Sequence, residues 1–396
     1  MKPTRMWSAV AAATLIGSLA AGPALAAHPQ AAAPAAARSA QLVRADDAKA
    51  QALLARLRAT ITPERLARSR ELAQRHGLTR EAINPGDYQC GPTVFRDWIR
   101  QSTADFTSVD WMILDNYGVL DYAAYDAMLF GSSSDPAYRL GAHAGVLDKT
   151  FRKLRGFWDI RSDDIDLMAM HGSMVLDPVR VSRVLQVAFG VPKAQADSLA
   201  PALVDYLSDP KFQGGNHPIF TLNAFAFTAF GREVVPGIIP GDRIIMGDGI
   251  LRAYDELGFG DVAPQAILAH EFGHHVQFEI GMITPDTIDA PETTRRTELH
   301  ADASAAYFLS HPRGLSMQWK RVKQFLSVFY TIGDCSFTSP GHHGTPNQRM
   351  RAAEWAYQLQ ESTRPKSLIY STREFQRRFD AQLPIIVAPD KVTAAA

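Results

Sequence analysis

Residues 270–274 read His-Glu-Phe-Gly-His, and the rest of the chain is expected to fold around this stretch. Residues four apart share one face of an α-helix, so His270 and His274 can direct both imidazoles at one cation. Glu271 follows the first histidine, where its carboxylate can reach a water on that cation without binding the metal. Apolar neighbours predict a buried helix that ends before Gly281.

A hydrolytic Zn²⁺ site needs a third protein ligand and one open coordination position. Glu298 follows His274 by 24 residues, which leaves room for a turn and a second helix. On that helix Asp302 shares a face with Glu298, and its carboxylate can accept a hydrogen bond from a metal-binding imidazole. The sequence therefore predicts that His270, His274 and Glu298 hold Zn²⁺ and that Asp302 orients a ligand ring.

Other residues near the motif carry ligand chemistry at less suitable positions. Glu279, Asp289 and Glu292 are the alternative third ligands. His275 and His300 fall on other helical faces, which predicts that they are packing or surface residues and do not bind the metal.

The N-terminus has the features of an export signal. Two basic residues precede an uncharged apolar stretch at residues 7–21, and small residues follow at a cleavage site. We therefore expect a secretory signal peptide over residues 1–26 and a disordered Ala/Pro spacer over 27–40. A membrane anchor is the alternative, but the apolar stretch is short for a span. These features predict a secreted or periplasmic protein without stable membrane insertion after cleavage.

The charge balance and the cysteines restrict the partners and the compartment. Lys and Arg number 41, as do Asp and Glu, so the chain lacks the basic excess typical of nucleic-acid binding. The chain has two cysteines, Cys90 and Cys335. In an oxidising compartment they are expected to form one disulfide, and two buried free thiols are the alternative.

Helix and strand signals divide the rest of the chain into two regions. Residues 41–210 read as helical apart from a loop at 84–92, and one of their helical segments covers 107–130. Residues 211–396 contain the metal motif and strand-like segments at 220–230 and 243–245. We expect an α+β fold that is mostly helical, with a helical N-terminal region and a catalytic region. Further helices are expected over 264–280, 294–309, 315–330 and 346–360.

Five blocks of the sequence resemble two groups of zinc metallopeptidases. Three of them, AHEFGHHVQ (269–277), TELHADASAAYF (297–308) and HGTPNQR (343–349), resemble the bacterial neutral zinc metallopeptidase family. The other two, NAFAF (223–227) and RIIMGDGIL (243–251), are similar to the edge-strand region of prenyl-protease-like gluzincins. This resemblance implies a gluzincin core, with an active-site helix, a small sheet that has a substrate-binding edge, and a helix that carries the third ligand.

The same resemblance implies roles for residues outside the metal motif. It makes His343 a candidate catalytic donor to the tetrahedral intermediate, and the alternative is a histidine that stabilises a loop or caps a helix. It makes Asn223 a candidate on the substrate side. Arg349 is expected to hold its loop by pairing with a carboxylate, and Tyr307 is a weaker donor candidate.

The expected activity is hydrolysis of peptide bonds by a metal-activated water, with Glu271 as the general base. The polypeptide substrate is expected to add an extended strand to a sheet edge built from 223–227 or 243–248. Two alternatives stay open: a zinc-stabilised secreted binding protein with a degenerate site, and a latent peptidase that residues 41–210 block.

Overall fold

Helices dominate the structure, a computed structural model that describes residues 48–75, 94–287, 291–330 and 344–388. The predicted class, α+β and mostly helical, is confirmed, because a single small sheet accompanies the helices of the described residues. Within these ranges no helix has both the length and the hydropathy of a membrane span. Several predictions lie outside the described residues: the signal peptide 1–26, the spacer 27–40, Cys90, Cys335, Asp289 and His343.

The N-terminal region, 41–210, is mostly helical in its described residues, but it also contributes one strand, Asp166–Met170, which the sequence did not predict. Local sequence sets the starts of the helices: the side chain of Thr107 caps one helix, and that of Asp177 accepts from Val179 N at the start of another, with Pro178 in its first turn. The helices are α1 (48–60), α2 (Pro63–Arg75), α3 (Val94–Ser102), α4 (Ser108–Trp111), α5 (Tyr122–Phe130), α6 (Ala144–Phe157), α7 (Pro178–Val187) and α8 (Lys193–Leu207).

Residues 107–130, which the periodicity predicts as one helix, are broken in the middle. A π-helical turn, Met112–Asn116, follows α4, and a short 3₁₀ turn precedes α5. Between the two turns Gly118 has a φ of 65°, a left-handed conformation that glycine adopts without steric cost and that ends a right-handed helix.

A three-stranded sheet lies beside the metal motif in the order β1-β3-β2, with strands β1 (Asp166–Met170), β2 (Ala224–Phe227) and β3 (Arg243–Gly247). Strand β3 is central, because it pairs parallel with β1 and antiparallel with β2. The expectation that 243–248 could form a substrate-binding edge is therefore wrong, whereas β2 is a terminal strand of the sheet. Both β2 and β3 are buried along their full length, which is why their apolar sequences did not distinguish the edge from the centre.

The catalytic region contributes the remaining helices. Gly281, with a φ of 72°, follows the motif helix as predicted, and Thr345 forms a capping box with Gln348 at a later helix start. The helices are α9 (Asp248–Glu256), α10 (Ala263–Glu279), α11 (Pro291–Ser310), α12 (Trp319–Phe329), α13 (Pro346–Ser362) and α14 (Thr372–Ile386). Of these, α9 and α14 were not predicted.

Helix α10, which carries the motif, is buried on all its faces. It packs against α6, α9, α11 and the strands β2 and β3, and from Ala263 to Phe278 only Gln265 is not fully buried. The N-terminal region supplies part of this cover, since Phe151 of α6 meets Phe272 edge-on at 6.0 Å. The two regions thus share one core around the motif helix.

Candidate metal centre

Three ligand atoms converge between α10 and α11. The Nε2 atoms of His270 and His274 lie 3.3 Å apart, because residues one turn apart share a helical face. From α11, Glu298 places Oε2 3.4 Å from Nε2 of His270 and Oε1 3.7 Å from Nε2 of His274. All three side chains are buried. Among the described residues, this is the one group of histidine and carboxylate side chains that could hold a metal ion.

The spacing of these atoms suits a shared cation. Ligand atoms at about 2.0–2.1 Å from a tetrahedral ion lie roughly 3.3 Å from one another. The two imidazole nitrogens match that separation, and the nearest carboxylate oxygens are within 0.4 Å of it. Three protein ligands would hold such an ion and leave one coordination position for a water or a substrate.

The second nitrogen of each imidazole faces an oxygen. Nδ1 of His270 lies 2.9 Å from Oδ1 of Asp302, and Nδ1 of His274 lies 3.0 Å from Oε1 of Gln277. The His274 contact is a hydrogen bond, whereas the ring N–H of His270 is not well aligned with Asp302, so that contact is mainly electrostatic. These oxygen acceptors favour a proton on Nδ1 of each ring and leave the lone pair on Nε2. Each Nε2 faces the position between the two imidazoles and Glu298 where a cation would bind.

Arg349 of α13 holds Asp302 from the other side. Its guanidinium donates to both carboxylate oxygens, from Nε to Oδ2 at 2.7 Å and from Nη2 to Oδ1 at 2.8 Å. Both side chains are buried, and the guanidinium also packs against the rings of Phe329 and Tyr330. The expected pairing of Arg349 with a carboxylate is thus present, and its partner is the residue that faces the first ligand.

The electrostatics of the group favour a cation. Burial lowers the pKa of His270, but Asp302 and Glu298 outweigh burial and raise the pKa to about 10. Two buried carboxylates therefore stabilise positive charge at this imidazole in the metal-free protein. The same negative field attracts a metal ion that replaces the proton.

Glu271, the expected base, is buried next to the ligand group and faces the sheet. Its Oε2 accepts a hydrogen bond from Ala226 N in β2 at 2.9 Å. The carbonyl oxygen of Asn223 accepts from Gly247 N in β3. In an antiparallel pair every second residue bonds to the partner strand, so the N–H and C=O groups of Ala224 and Ala226 point away from β3. The outer side of the terminal strand therefore faces the base.

Asn223, directly before β2, has a buried amide without a protein partner. Neither Oδ1 nor Nδ2 has a hydrogen bond within the described part of the chain. Tyr307 lies elsewhere, since its hydroxyl donates to Leu368 O and accepts from Tyr370 N. Of the additional candidates that the structure describes, Asn223 is thus the one with free polar atoms.

Of the alternative third ligands, only Glu279 has a described side chain, and it lies outside the group. Glu279 is exposed at the end of α10, and neither Asp289 nor the side chain of Glu292 is described. Nε2 of His275 bonds to Arg243 O at 3.0 Å, and His300 packs against two phenylalanine rings of α14. Both histidines are buried packing residues, and burial lowers the pKa of each.

Sequence reasoning missed two groups at this site, Gln277 and the N–H of Ala226. Gln277 follows His274 by three residues, so helical spacing alone could have indicated that their side chains meet. The contact between Ala226 and Glu271 joins a strand to a helix 45 residues away, and no local pattern encodes it.

Comparison with known proteins supplies no relative from which a function could be taken. No protein-family model, no curated protein and no solved structure matches the chain. The chemistry of the site is therefore argued from its own residues.

Proposed function

We propose that the protein is an exported zinc-dependent peptidase with a gluzincin-type core. The convergence of the Nε2 atoms of His270 and His274 with the carboxylate of Glu298 carries this proposal. A single helix supplies both imidazoles and the adjacent carboxylate of Glu271, which is the arrangement that a hydrolytic metal site requires.

The donor set favours zinc over harder cations. Two imidazoles and one carboxylate form a set typical of catalytic zinc, whereas Mg²⁺ and Ca²⁺ prefer an all-oxygen shell. The Nδ1 partners, Asp302 and Gln277, leave each Nε2 as a lone-pair donor.

The residues around the ion have separate tasks in peptide hydrolysis. The chemistry that zinc supplies when bound is a lower pKa of a coordinated water and a polarised carbonyl. In the proposed reaction Glu271 takes the proton of the attacking water on a carboxylate oxygen and later gives it to the leaving amine nitrogen. Asp302 orients His270, and Arg349 balances the charge of Asp302.

The polypeptide substrate would bind along β2 as an added strand. The outward N–H and C=O groups of Ala224 and the C=O group of Ala226 provide main-chain partners, and among the described strands β2 ends the sheet on this side. The N–H of Ala226 already donates to Glu271. The unpartnered amide of Asn223 could pair with a substrate peptide group, since a buried amide without a partner is costly unless a ligand uses it. His343 remains a proposed donor that rests on the resemblance alone.

A latent form of the same peptidase is the second candidate, and the burial of the site favours it. His270, Glu271, His274 and Glu298 are each at most 2% exposed, and the ring of Phe329 meets His270 edge-on at 6.0 Å. A polypeptide can reach this centre only if covering elements move. Activity that appears only after limited proteolysis would support latency over a constitutively open enzyme.

Paired variants test the assigned base. Wild type and Glu271→Gln should each bind one equivalent of zinc by elemental analysis, and only wild type should cleave casein or a peptide library. Glu279→Gln changes an exposed carboxylate at the end of the same helix and should keep both properties. Equal cleavage by wild type and Glu271→Gln would refute the base. Zinc binding without cleavage by wild type, even after proteolysis, would favour a zinc-stabilised binding protein.

Export is tested separately from catalysis. The protein expressed with its natural N-terminus should appear outside the cytoplasm and begin at Ala27, as N-terminal sequencing would show. An intact N-terminus in the membrane fraction would support an anchor instead.

A further inference from the structure

We infer that Gln277 is a positioning residue of the metal centre, and that its amide sets the tautomer of His274 and ties together the two helices that carry the ligands. This inference rests on the proposed zinc site and extends it. It assigns a function to a side chain that neither binds the ion nor touches the substrate.

Gln277 is completely buried on α10, and both the oxygen and the nitrogen of its amide make polar contacts. Its Oε1 lies 3.0 Å from Nδ1 of His274. Its Nε2 donates to Thr297 O at 2.6 Å and lies 3.2 Å from Nδ1 of His300. One neutral side chain thus contacts a metal ligand on its own helix and two residues on the ligand-bearing helix α11.

The surroundings permit one orientation of this amide. Thr297 O can only accept, so the amide nitrogen must face it, and Oε1 then faces His274. A flipped amide would place two acceptor oxygens together at Thr297. Because Oε1 can only accept, Nδ1 of His274 must carry the proton. The lone pair of His274 is therefore on Nε2, which faces Nε2 of His270 and the carboxylate of Glu298.

The second effect of Gln277 is on the spacing of α10 and α11. Thr297 directly precedes Glu298, so the bond from Gln277 to Thr297 O fixes the backbone beside the third ligand. His300, the other α11 contact, is held by the rings of Phe375 and Phe379 at 5.6 and 5.2 Å. The contacts of Gln277 therefore connect the imidazole of His274 to a segment of α11 that is itself packed in place.

A neutral amide suits this position better than a carboxylate. Asp302, which faces the other ligand imidazole, is balanced by Arg349. A glutamate at 277 would place a second buried carboxylate next to Thr297 O, and it would lose the N–H donor that bonds to that oxygen. Glutamine provides the acceptor for His274 and the donor for α11 without a charge.

The test compares zinc affinity in Gln277→Leu with that in wild type, using competition with a chromophoric chelator, and adds the visible spectrum of the Co²⁺-substituted protein. Loss of a hydrogen bond that orients a ligand typically weakens metal binding by about 10–100-fold. We expect the Kd for zinc to rise by that factor and the cobalt bands to change.

Gln348→Leu is the matched control. Gln348 is also buried and joins two elements, accepting from Thr345 N and donating to Val387 O, but it does not contact a metal ligand. Its zinc Kd should stay within about twofold of wild type even if its melting temperature falls. Equal Kd values and unchanged cobalt spectra in both variants would overturn the inference.

Two further results keep the inference testable if Gln277→Leu does not fold. In the zinc-loaded wild type, ¹⁵N NMR should show His274 bound through Nε2 with a solvent-protected proton on Nδ1, and binding through Nδ1 would refute the assignment. The results also distinguish failure of this inference from failure of the proposed function. If wild type binds zinc, Gln277→Leu weakens that binding and neither protein cleaves a substrate even after limited proteolysis, the peptidase proposal fails and the inference stands. A wild type that binds no zinc would overturn both.

Discussion

Arg349 and Asp302 form a buried ion pair in which two N–H groups of the guanidinium meet the two carboxylate oxygens, at 2.7 and 2.8 Å. Oδ1 of Asp302 also lies 2.9 Å from Nδ1 of His270. Arg349 on α13 is therefore connected through Asp302 on α11 to the imidazole of His270 on α10. The arginine lets a carboxylate sit beside a metal ligand without adding net charge to the core.

The first prediction concerns the stability that this pair provides. Arg349→Met removes the bidentate partner of buried Asp302 and leaves it only the His270 imidazole, which Glu298 shares. The free energy of unfolding of the metal-free protein should therefore fall by about 3–5 kcal/mol. Urea denaturation measures the loss. Arg296→Met is the matched control, since Arg296 makes the same two-pronged contact with Asp380 but both side chains are about one-third exposed. That pair should contribute about 0–1 kcal/mol, and equal losses in both variants would contradict the argument from burial.

The second prediction concerns Gly273, inside the metal motif. A Cβ at this position would lie 3.1 Å from Cα and 3.3 Å from Cβ of Ala301 on α11. Gly273→Ala should push the two ligand helices apart by a few tenths of an ångström, destabilise the fold by about 1–3 kcal/mol and raise the Kd for zinc. Gly156→Ala in α6 is the control, because its Cβ would enter open space. This control should be neutral or slightly stabilising, and identical behaviour of both variants would count against close helix packing at Gly273.

Much of the metal centre could be predicted from the sequence because helical spacing encodes it. The four-residue interval fixes the relation of His270 to His274, and that between Glu298 and Asp302 follows the same rule. The partner of Arg349 could not be predicted in this way. It lies 47 residues earlier in the chain, and contacts of that range depend on how helices pack.

The sheet was harder to predict for a physical reason. A buried edge strand and a buried central strand both have apolar sequences, so composition could not show which of β2 and β3 lies at the edge. Strand β1, with the sequence Asp-Leu-Met-Ala-Met, lacks β-branched residues and was missed, although β3 pairs with it along its length. The place of each of the three strands in the sheet depends on pairing between segments that are distant in the sequence.

The third prediction concerns the ion itself. Added zinc should raise the melting temperature, because a ligand at 100 times its Kd stabilises the folded state by about 2.7 kcal/mol. A chelator should reverse the shift. Glu298→Gln removes the anionic ligand and should lose most of the shift, whereas the exposed-site control Glu279→Gln should keep it. A full zinc shift in Glu298→Gln, measured by calorimetry, would exclude Glu298 as a ligand.

The fourth prediction concerns pH and a histidine distant from the metal motif. Nδ1 of His217 accepts from Ile219 N at 3.2 Å, and its Nε2–H donates to Ser102 O at 2.8 Å. Protonation would place a second N–H on Nδ1, against a backbone donor. Burial lowers the pKa of His217 and Arg252 adds to this, while the Ser102 bond, Asp105 and Glu256 oppose it, and the net direction is downward.

The sign of the pH effect follows from that direction. Below about pH 6.5 the unfolded chain takes up a proton at residue 217 that the folded chain resists. This contribution to stability is therefore present above pH 6.5 and is lost as pH falls through the folded pKa. His217→Asn keeps an acceptor for Ile219 N but cannot titrate, so chelator-treated wild type should lose more stability than the variant between pH 7 and pH 5, in urea melts at each pH. At pH 8 the variant should be the less stable protein, because the bond to Ser102 is gone. A constant difference between the two proteins across this range would show that His217 stays neutral, or titrates equally, in both states.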